Sequence, residues 1–134
     1  MAEPIRVHHL AVVVDDLDKA LQFWRDALGL AVSEVRDVPG EASQIAFLPA
    51  GEAQIELVRP TTADSGIARY LAKRGPGMHH ICLSVSDLRA TLQQLASRGV
   101  RLINAEPLTG SDGRPYAFVH PESTGGVLLE LYEA

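Results

Sequence analysis

Two segments of the chain repeat one pattern of apolar and polar positions. Each begins with a run rich in β-branched residues that predicts a strand, over residues 9–14 and again over 80–85. An acidic or hydroxylated residue then serves as a helix cap, and apolar residues recur at helical spacing. Gly29 and Gly99 stand where the two predicted helices should end. The apolar face of the first helix comprises Leu17, Ala20, Leu21, Trp24 and Leu28.

Three shorter strand-like stretches follow each predicted helix. In the first segment they span 31–37, 43–49 and 53–59, and in the second 100–104, 115–120 and 126–132. A Gly/Pro-rich stretch over 104–115 predicts a loop, whose glycines permit it to act as a lid. Each segment is therefore predicted to be a βαβββ module.

The two modules are copies of one another. At an offset of 71 residues, seven of the 21 positions from His8 to Leu28 are identical in the second copy, and a His-His pair is among them. Near the end of each copy, the apolar residues that flank Glu56 match those that flank Glu130. A recurring order of elements with recurring residues indicates an internal duplication.

The duplication defines the predicted organisation of the chain. Residues 1–134 are expected to form a single domain of the α+β class, with tandem βαβββ modules at about 5–60 and 78–134. A linker of about 61–77 joins the modules. In it, Ser65 caps a short helix that ends before Gly75.

Strand geometry selects residues that carry chemistry, because side chains alternate between two faces along a strand. His9 lies on the face opposite to the large apolar residues of its strand, and His80 occupies the matching position in the second copy. Glu56 and Glu130 likewise point away from their apolar neighbours. A carboxylate inside an apolar strand is unfavourable unless it is paired or bound to a cation.

Two imidazoles and two carboxylates at duplicated positions predict a divalent-metal site. Nitrogen and oxygen donors suit Zn, Co, Ni, Mn or Fe(II). Four protein ligands leave open positions on an ion that prefers six, and open positions are typical of a catalytic site. The neighbouring His8 and His79 have the opposite parity and are not predicted to reach this centre. The predicted ligands are His9, Glu56, His80 and Glu130.

Composition and charge narrow the class of function. The net charge is −5 and no basic run occurs, which argues against nucleic acid as a partner. No stretch approaches the ~20 apolar residues of a membrane span, and the N-terminus lacks the apolar core of a signal peptide. Cys82 is the single cysteine, so the fold requires no internal disulfide. We predict a cytoplasmic protein that binds neither nucleic acid nor membrane.

Four motifs carry a family resemblance. They are His-Leu-Ala-Val-Val-Val from His9, Ile-Glu-Leu-Val around Glu56, Gly-Met-His-His-Ile-Cys around His80, and Phe-Val-His-Pro followed by Gly-Val-Leu-Leu-Glu-Leu around Glu130. Together they resemble the vicinal oxygen chelate (glyoxalase) superfamily, and within it the methylmalonyl-CoA epimerase family. The resemblance covers about residues 7–133.

The resemblance implies an incomplete barrel of paired modules around a divalent ion, often in a homodimer. It favours Co²⁺, with Zn²⁺, Ni²⁺ or Mn²⁺ as alternatives, and it implies the same four ligands, although some members have Gln at the position of Glu56. It also implies a small acyl-CoA substrate, methylmalonyl-CoA. The (2R) and (2S) forms would interconvert by abstraction of the α-proton through a metal-stabilised enolate. Basic residues that could face the CoA phosphates are Arg59, Lys73, Arg74 and Arg114.

Proton transfer is where the chain departs from part of the family. Some members have a glutamate at the position of Gln44 and use it as a proton shuttle, whereas an amide cannot titrate. We expect Gln44 to face the cavity, because Ile45 and Phe47 should point into the core, and to hydrogen-bond the substrate or a water. Glu130, or Glu56 if it leaves the metal, would then transfer the proton.

Two other functions are compatible with the same motifs. A glyoxalase I-like isomerase of glutathione hemithioacetals shares the fold and a site of this kind. Thermal protection by CoA esters or by glutathione adducts distinguishes the two enzymes. A non-catalytic binding protein of the superfamily needs a cavity but no metal, so metal analysis of the purified protein distinguishes it.

Overall fold

The computed structural model describes residues 5–134, so the first four residues of the predicted domain, part of the N-terminal stretch considered above, lie outside the described residues. Two compact units make up the chain. The first unit is His9–His79, and the second unit joins His80–Ala134 to the described residues 5–8. The units therefore meet between His8 and His9 and between His79 and His80. The expectation of a single domain stays a prediction.

The first unit contains a four-stranded sheet and two helices. Its elements are β1 (Arg6–Val13, from His9 onward), α1 (Leu17–Leu21), β2 (Glu34–Val38), β3 (Ser43–Ala50), β4 (Ala53–Pro60) and α2 (Gly66–Arg74). The strand order is β2-β3-β4-β1. β1 and β4 run parallel, whereas the β2–β3 and β3–β4 pairs are antiparallel.

The second unit repeats this arrangement. Its elements are β5 (Gly77–Val85, from His80 onward), α3 (Leu88–Ser97), β6 (Leu108–Thr109), β7 (Pro115–Val119) and β8 (Leu129–Glu133). The strand order is β5-β8-β7-β6, with β5 parallel to β8 and the other pairs antiparallel. The predicted tandem βαβββ modules of the α+β class are thus confirmed.

Each sheet buries one face against its own helix. In the first unit, Leu17 and Leu21 of α1 pack against a cluster that includes Leu48 and Leu57. In the second unit, Leu88 and Leu92 of α3 pack against Ala117, Val119 and Leu131. We call this side of each sheet the helix face and the opposite side the site face. The site face of the first sheet includes the buried residues Ala11, Ile45 and Val58.

The three helix starts follow the predicted capping chemistry. The side chain of Asp16 accepts from the backbone N–H of Lys19 at 3.0 Å, and Asp87 accepts from Ala90 at 3.0 Å. Ser65 caps α2 in the same way, and α2 ends at Gly75 with φ 76°. Within residues 5–134, the structure contains no helix with the length and apolar character that a membrane span requires.

The predicted first helix changes character halfway. α1 ends at Leu21, and Gln22–Ala27 form a π-helix in which the Leu28 N–H donates to the Phe23 carbonyl at 2.8 Å. The wider π turn rotates later residues away from the inward direction that regular helical spacing predicts. Trp24 still packs against the core cluster, but Leu28 is 56% exposed. The placement of Leu28 on the apolar face was therefore wrong.

The strands predicted at 31–37 and 100–104 differ from those observed. β2 begins only at Glu34, and Leu30 and Val32 pack against the helix-face cluster without joining a ladder. In the second unit Leu102 forms only an isolated bridge to Val119. The short strand β6 instead lies inside the predicted loop 104–115. In both places the apolar pattern reflected packing rather than strand pairing.

Two equivalent core leucines provide a stability test of the duplicated fold. Leu57 and Leu131 are 0% and 3% exposed, so Leu57→Ala or Leu131→Ala should each lower the free energy of unfolding by about 2–5 kcal/mol. Leu28→Ala removes the same atoms from an exposed site and should change the free energy of unfolding by less than about 0.5 kcal/mol. Urea unfolding measures all three, and an equal loss in the Leu28 variant would contradict the assigned burial.

Candidate metal-binding site

The first half of the candidate site is a buried His–Glu pair in the first unit. The β1–β4 register places His9 beside Gln54 and Ala11 beside Glu56, so both ionisable side chains lie on the site face. His9 Nδ1 lies 3.1 Å from Glu56 Oε2. The two side chains are only 8% and 10% exposed, and a carboxylate this buried needs a polar or cationic partner.

A neighbouring amide holds the Glu56 carboxylate as well. Gln54 precedes Glu56 by two residues on the same face of β4, and its Nε2 donates to Glu56 Oε2 at 3.1 Å. The same oxygen therefore faces both the imidazole of His9 and the amide of Gln54. Together these two contacts restrict the orientation of the carboxylate.

The second unit contains the equivalent pair. His80 Nε2 lies 3.1 Å from Glu130 Oε1, and the two side chains are 11% and 13% exposed. In the register of the sheet, Glu130 stands between Cys82 of β5 and Phe118 of β7. The ring of Phe118 packs edge-on against His80 with 5.6 Å between centroids. This contact holds the imidazole at nearly a right angle to the Phe118 ring.

Each unit thus presents one imidazole and one carboxylate at corresponding positions. Nitrogen and oxygen donors of this kind fit a first-row divalent ion, and burial of the donors favours a cation that neutralises them. The chemistry of the donors is therefore consistent with the predicted metal ligands.

The other three histidines have separate environments. The ring of His8 packs at a tilt against that of Tyr132 with 4.4 Å between centroids, and the ring of His79 packs edge-on against Tyr70 at 4.8 Å. His120 Nδ1 accepts from the backbone N–H of Glu122 at 3.0 Å and begins a short 3-10 helix. His120 therefore has the turn role that its place before a proline indicates.

The face predicted for Gln44 was wrong. In the β3–β4 register Ile45 lies beside Val58 and Phe47 beside Glu56, which puts Ile45 and Phe47 on the site face. Gln44 therefore points to the helix face. β3 carries buried apolar residues on both faces, so apolar character alone did not reveal which face is which.

Gln44 has a different neighbourhood from the one expected. Its Oε1 accepts from Nε and Nη2 of Arg59, both at 3.2 Å. The two side chains line an open depression together with residues 15–18 at the start of α1. The site-face positions of β3 are Ser43, Ile45 and Phe47, and the one beside Glu56 is the apolar Phe47.

A polar cluster next to Glu130 was not predicted from the sequence. Tyr132 shares the site face of β8 with Glu130, and its hydroxyl donates to Oδ2 of Asp112. Burial, together with this hydrogen bond, raises the pKa of Tyr132 to about 12. Burial alone would raise the pKa of Asp112, but hydrogen bonds from Tyr132 and from backbone N–H groups outweigh it and lower that pKa. Near neutral pH the phenol is therefore protonated and the carboxylate ionised.

Comparisons with known proteins agree with this architecture. Residues 8–118 match the sequence profile of the Glyoxalase/Bleomycin resistance protein/Dioxygenase superfamily. The chain is 40% identical to the mitochondrial methylmalonyl-CoA epimerase of Mus musculus over 130 residues, which is 96% of this chain and 73% of that protein.

Solved structures show the same similarity. Methylmalonyl-CoA epimerase from Mycobacterium tuberculosis superposes with a TM-score of 0.85 at 37% identity, covering 95% of this chain and 86% of that one. A single-residue variant of the Streptomyces coelicolor epimerase, in complex with 2-nitronate-propionyl-CoA, gives a TM-score of 0.86 at 30% identity and covers 96% and 94%.

Proposed function

Since the chain belongs to the Glyoxalase/Bleomycin resistance protein/Dioxygenase superfamily, and within it to the methylmalonyl-CoA epimerase family, we propose that it is a metal-dependent methylmalonyl-CoA epimerase. The reaction would interconvert (2R)- and (2S)-methylmalonyl-CoA, which makes the protein an isomerase. We further propose that the pairs His9–Glu56 and His80–Glu130 hold one divalent ion.

One observation carries this proposal. The duplicated βαβββ units each bury a histidine and a glutamate, 3.1 Å apart, at corresponding positions of parallel strands. Unrelated structural roles would not require the same two residue types at both positions. A divalent ion supplies Lewis acidity, which stabilises negative charge on an adjacent substrate oxygen.

The chain's own residues have to move the proton. Epimerisation needs a group that accepts the α-proton from one face of the substrate and a group that returns a proton to the other. Glu130 is the first candidate for proton transfer, and Glu56 is the alternative. Both are carboxylates on site faces. Glu56 is the second choice because the hydrogen bond from Gln54 restricts its carboxylate. Cobalt as the native ion, the homodimer and the cytoplasmic location stay predictions.

Deuterium exchange tests the proposed reaction directly. Racemic methylmalonyl-CoA is incubated in deuterated buffer with the protein, and proton NMR follows the α-proton and the methyl signal. We expect loss of the α-proton well above the buffer rate, and a chelator should suppress it. Addition of a divalent ion after the chelator has been removed should restore it.

One result would argue against the epimerase and another against its metal dependence. Absence of exchange with metal-loaded protein would exclude the epimerase, and glutathione hemithioacetals would become the next substrates to test. Exchange that persists unchanged in the chelated protein, with metal content below stoichiometry, would exclude metal dependence but not proton abstraction. Metal analysis of the same samples separates the two results.

Gln44→Ala tests the corrected placement of Gln44. Because Gln44 points to the helix face and binds Arg59, we expect the variant to keep kcat and KM within about twofold of the original protein. If Gln44 contacted the substrate, as expected from the sequence, Gln44→Ala would clearly lower kcat or raise KM. Epimerase kinetics and thermal melting of both proteins decide the matter, since melting reports any loss of the Arg59 contact.

A further inference from the structure

The cluster beside Glu130 includes a tight turn between β6 and β7. The Gly110 N–H donates to the Arg114 carbonyl at 2.9 Å, and the Arg114 N–H donates to Oδ1 of Asp112 at 3.0 Å. A Cβ on Gly110 would lie 3.0 Å from that same Oδ1, so any other residue would require the aspartate side chain to shift by a few tenths of an ångström. We call residues 110–114 the anchored turn. Its internal bonds give Asp112 and Arg114 defined positions relative to each other.

Tyr132 attaches the anchored turn to the strand that carries Glu130. While Asp112 Oδ1 belongs to the turn, its Oδ2 accepts the Tyr132 hydroxyl. The His8 ring packs against the Tyr132 ring at a tilt of 34°, with 4.4 Å between centroids. Because the acceptor is an ionised carboxylate, this hydrogen bond belongs to the stronger class.

The attachment brings a cation to the site face. The Arg114 guanidinium lies over the Tyr132 ring, 6.0 Å from its centroid, within the range of a cation–π contact. Tyr132 and Glu130 are successive residues on one face of β8, so their Cα atoms are about 7 Å apart. Within residues 5–134, no hydrogen bond or ion pair engages the Arg114 guanidinium.

We propose that Arg114 binds an oxyanion of the acyl-CoA substrate, and that Tyr132 and Asp112 are positioning residues that hold Arg114 beside Glu130. The inference rests on the proposed function, since it takes an anionic thioester as the ligand. A malonyl-type CoA ester carries a carboxylate and several phosphates, whereas the chain has a net charge of −5. Asp112 carries the opposite charge in the same turn, but its two oxygens are engaged by the Arg114 N–H and the Tyr132 hydroxyl, which leaves the guanidinium as the group that offers donors to an anion.

Binding of three probes that the proposed reaction cannot convert into a different compound tests the ligand chemistry. Malonyl-CoA has both the carboxylate and the phosphates, propionyl-CoA has only the phosphates, and malonyl-pantetheine has only the carboxylate. We expect Arg114→Gln to lower the affinity for malonyl-CoA about tenfold, as measured by calorimetry. Arg114→Lys should recover part of the lost affinity. An equal loss for propionyl-CoA assigns the contact to a phosphate, and an equal loss for malonyl-pantetheine assigns it to the carboxylate.

Arg101→Gln is the matched control. Arg101 belongs to the same unit and its guanidinium pairs with the exposed Glu122, so this variant makes the same change in net charge away from the anchored turn. It should leave the affinity for malonyl-CoA unchanged. Equal weakening in both variants would overturn the proposal, because the effect would then be one of overall charge.

A double-mutant cycle tests the positioning role. Tyr132→Phe removes the hydroxyl and keeps the ring, and we expect a several-fold rise in KM with kcat nearly unchanged. In the Arg114→Gln background Tyr132→Phe should have no further effect on KM, because Tyr132 acts through Arg114. Additive effects would overturn the positioning role. Thermal melting of each variant shows that a rise in KM does not come from unfolding.

Failure of this inference is distinguishable from failure of the proposed function. If the unmodified protein binds none of the three probes and exchanges no α-proton, the proposed function fails. If it binds malonyl-CoA and exchanges the α-proton, but Arg114→Gln behaves like Arg101→Gln, only the role of the anchored turn fails.

Discussion

Glu130→Gln is expected to lower the rate of α-proton exchange by about 10²- to 10⁴-fold, the contribution typical of a positioned acid or base. The substitution keeps the size of the side chain and removes its ability to carry a proton. Glu56→Gln should retain most of the rate, because Glu56 is held by both His9 and Gln54 and is proposed to act mainly as a ligand. Exchange in deuterated buffer measures both variants against the original protein.

Metal content decides how a loss in the Glu130 variant is read. Glu130 is also a proposed ligand, so each preparation needs a metal analysis, and the variant is assayed with saturating divalent ion. Full metal occupancy with a strongly reduced rate would assign proton transfer to Glu130. An occupied Glu130→Gln variant with an unchanged rate would refute that assignment and direct attention to Glu56.

The His–Glu pairs were predictable because they follow from rules that hold along a single strand. Alternation of side chains separates His9 from the apolar residues of β1 and Glu56 from those of β4. The duplication then transfers the same argument to His80 and Glu130. Both pairs are adjacent within their units in the structure, at 3.1 Å. Which proton each carboxylate moves is a property that alternation does not determine.

The face of Gln44 was predicted wrongly because apolar residues occur on both faces of β3. β3 buries Ile45 on one face and Leu48 on the other, so the face of Gln44 depended on a register that only strand pairing reveals. The bond between Tyr132 and Asp112 joins a strand to a turn 20 residues away. No local periodicity encodes such a contact. Both cases depend on tertiary geometry rather than on sequence pattern.

Removal of the metal is expected to abolish exchange and to lower the melting temperature. If the native state alone binds the ion, a concentration 1,000 times the Kd stabilises the protein by about 4 kcal/mol. For a chain of this size that corresponds to a shift of about 15 °C. Thermal melting of the chelated protein, with and without added Co²⁺ or Zn²⁺, measures the shift.

His80→Ala and His79→Ala separate the proposed ligand from its neighbour. His80 lies 3.1 Å from Glu130, whereas His79 packs against the ring of Tyr70. We expect His80→Ala to lose both the metal-induced rise in melting temperature and the exchange activity, because an imidazole donor is missing. His79→Ala should keep the metal-induced shift even if its own melting temperature falls. A full shift in the His80 variant would remove His80 from the ligand set, and with it the argument that the duplication built this site.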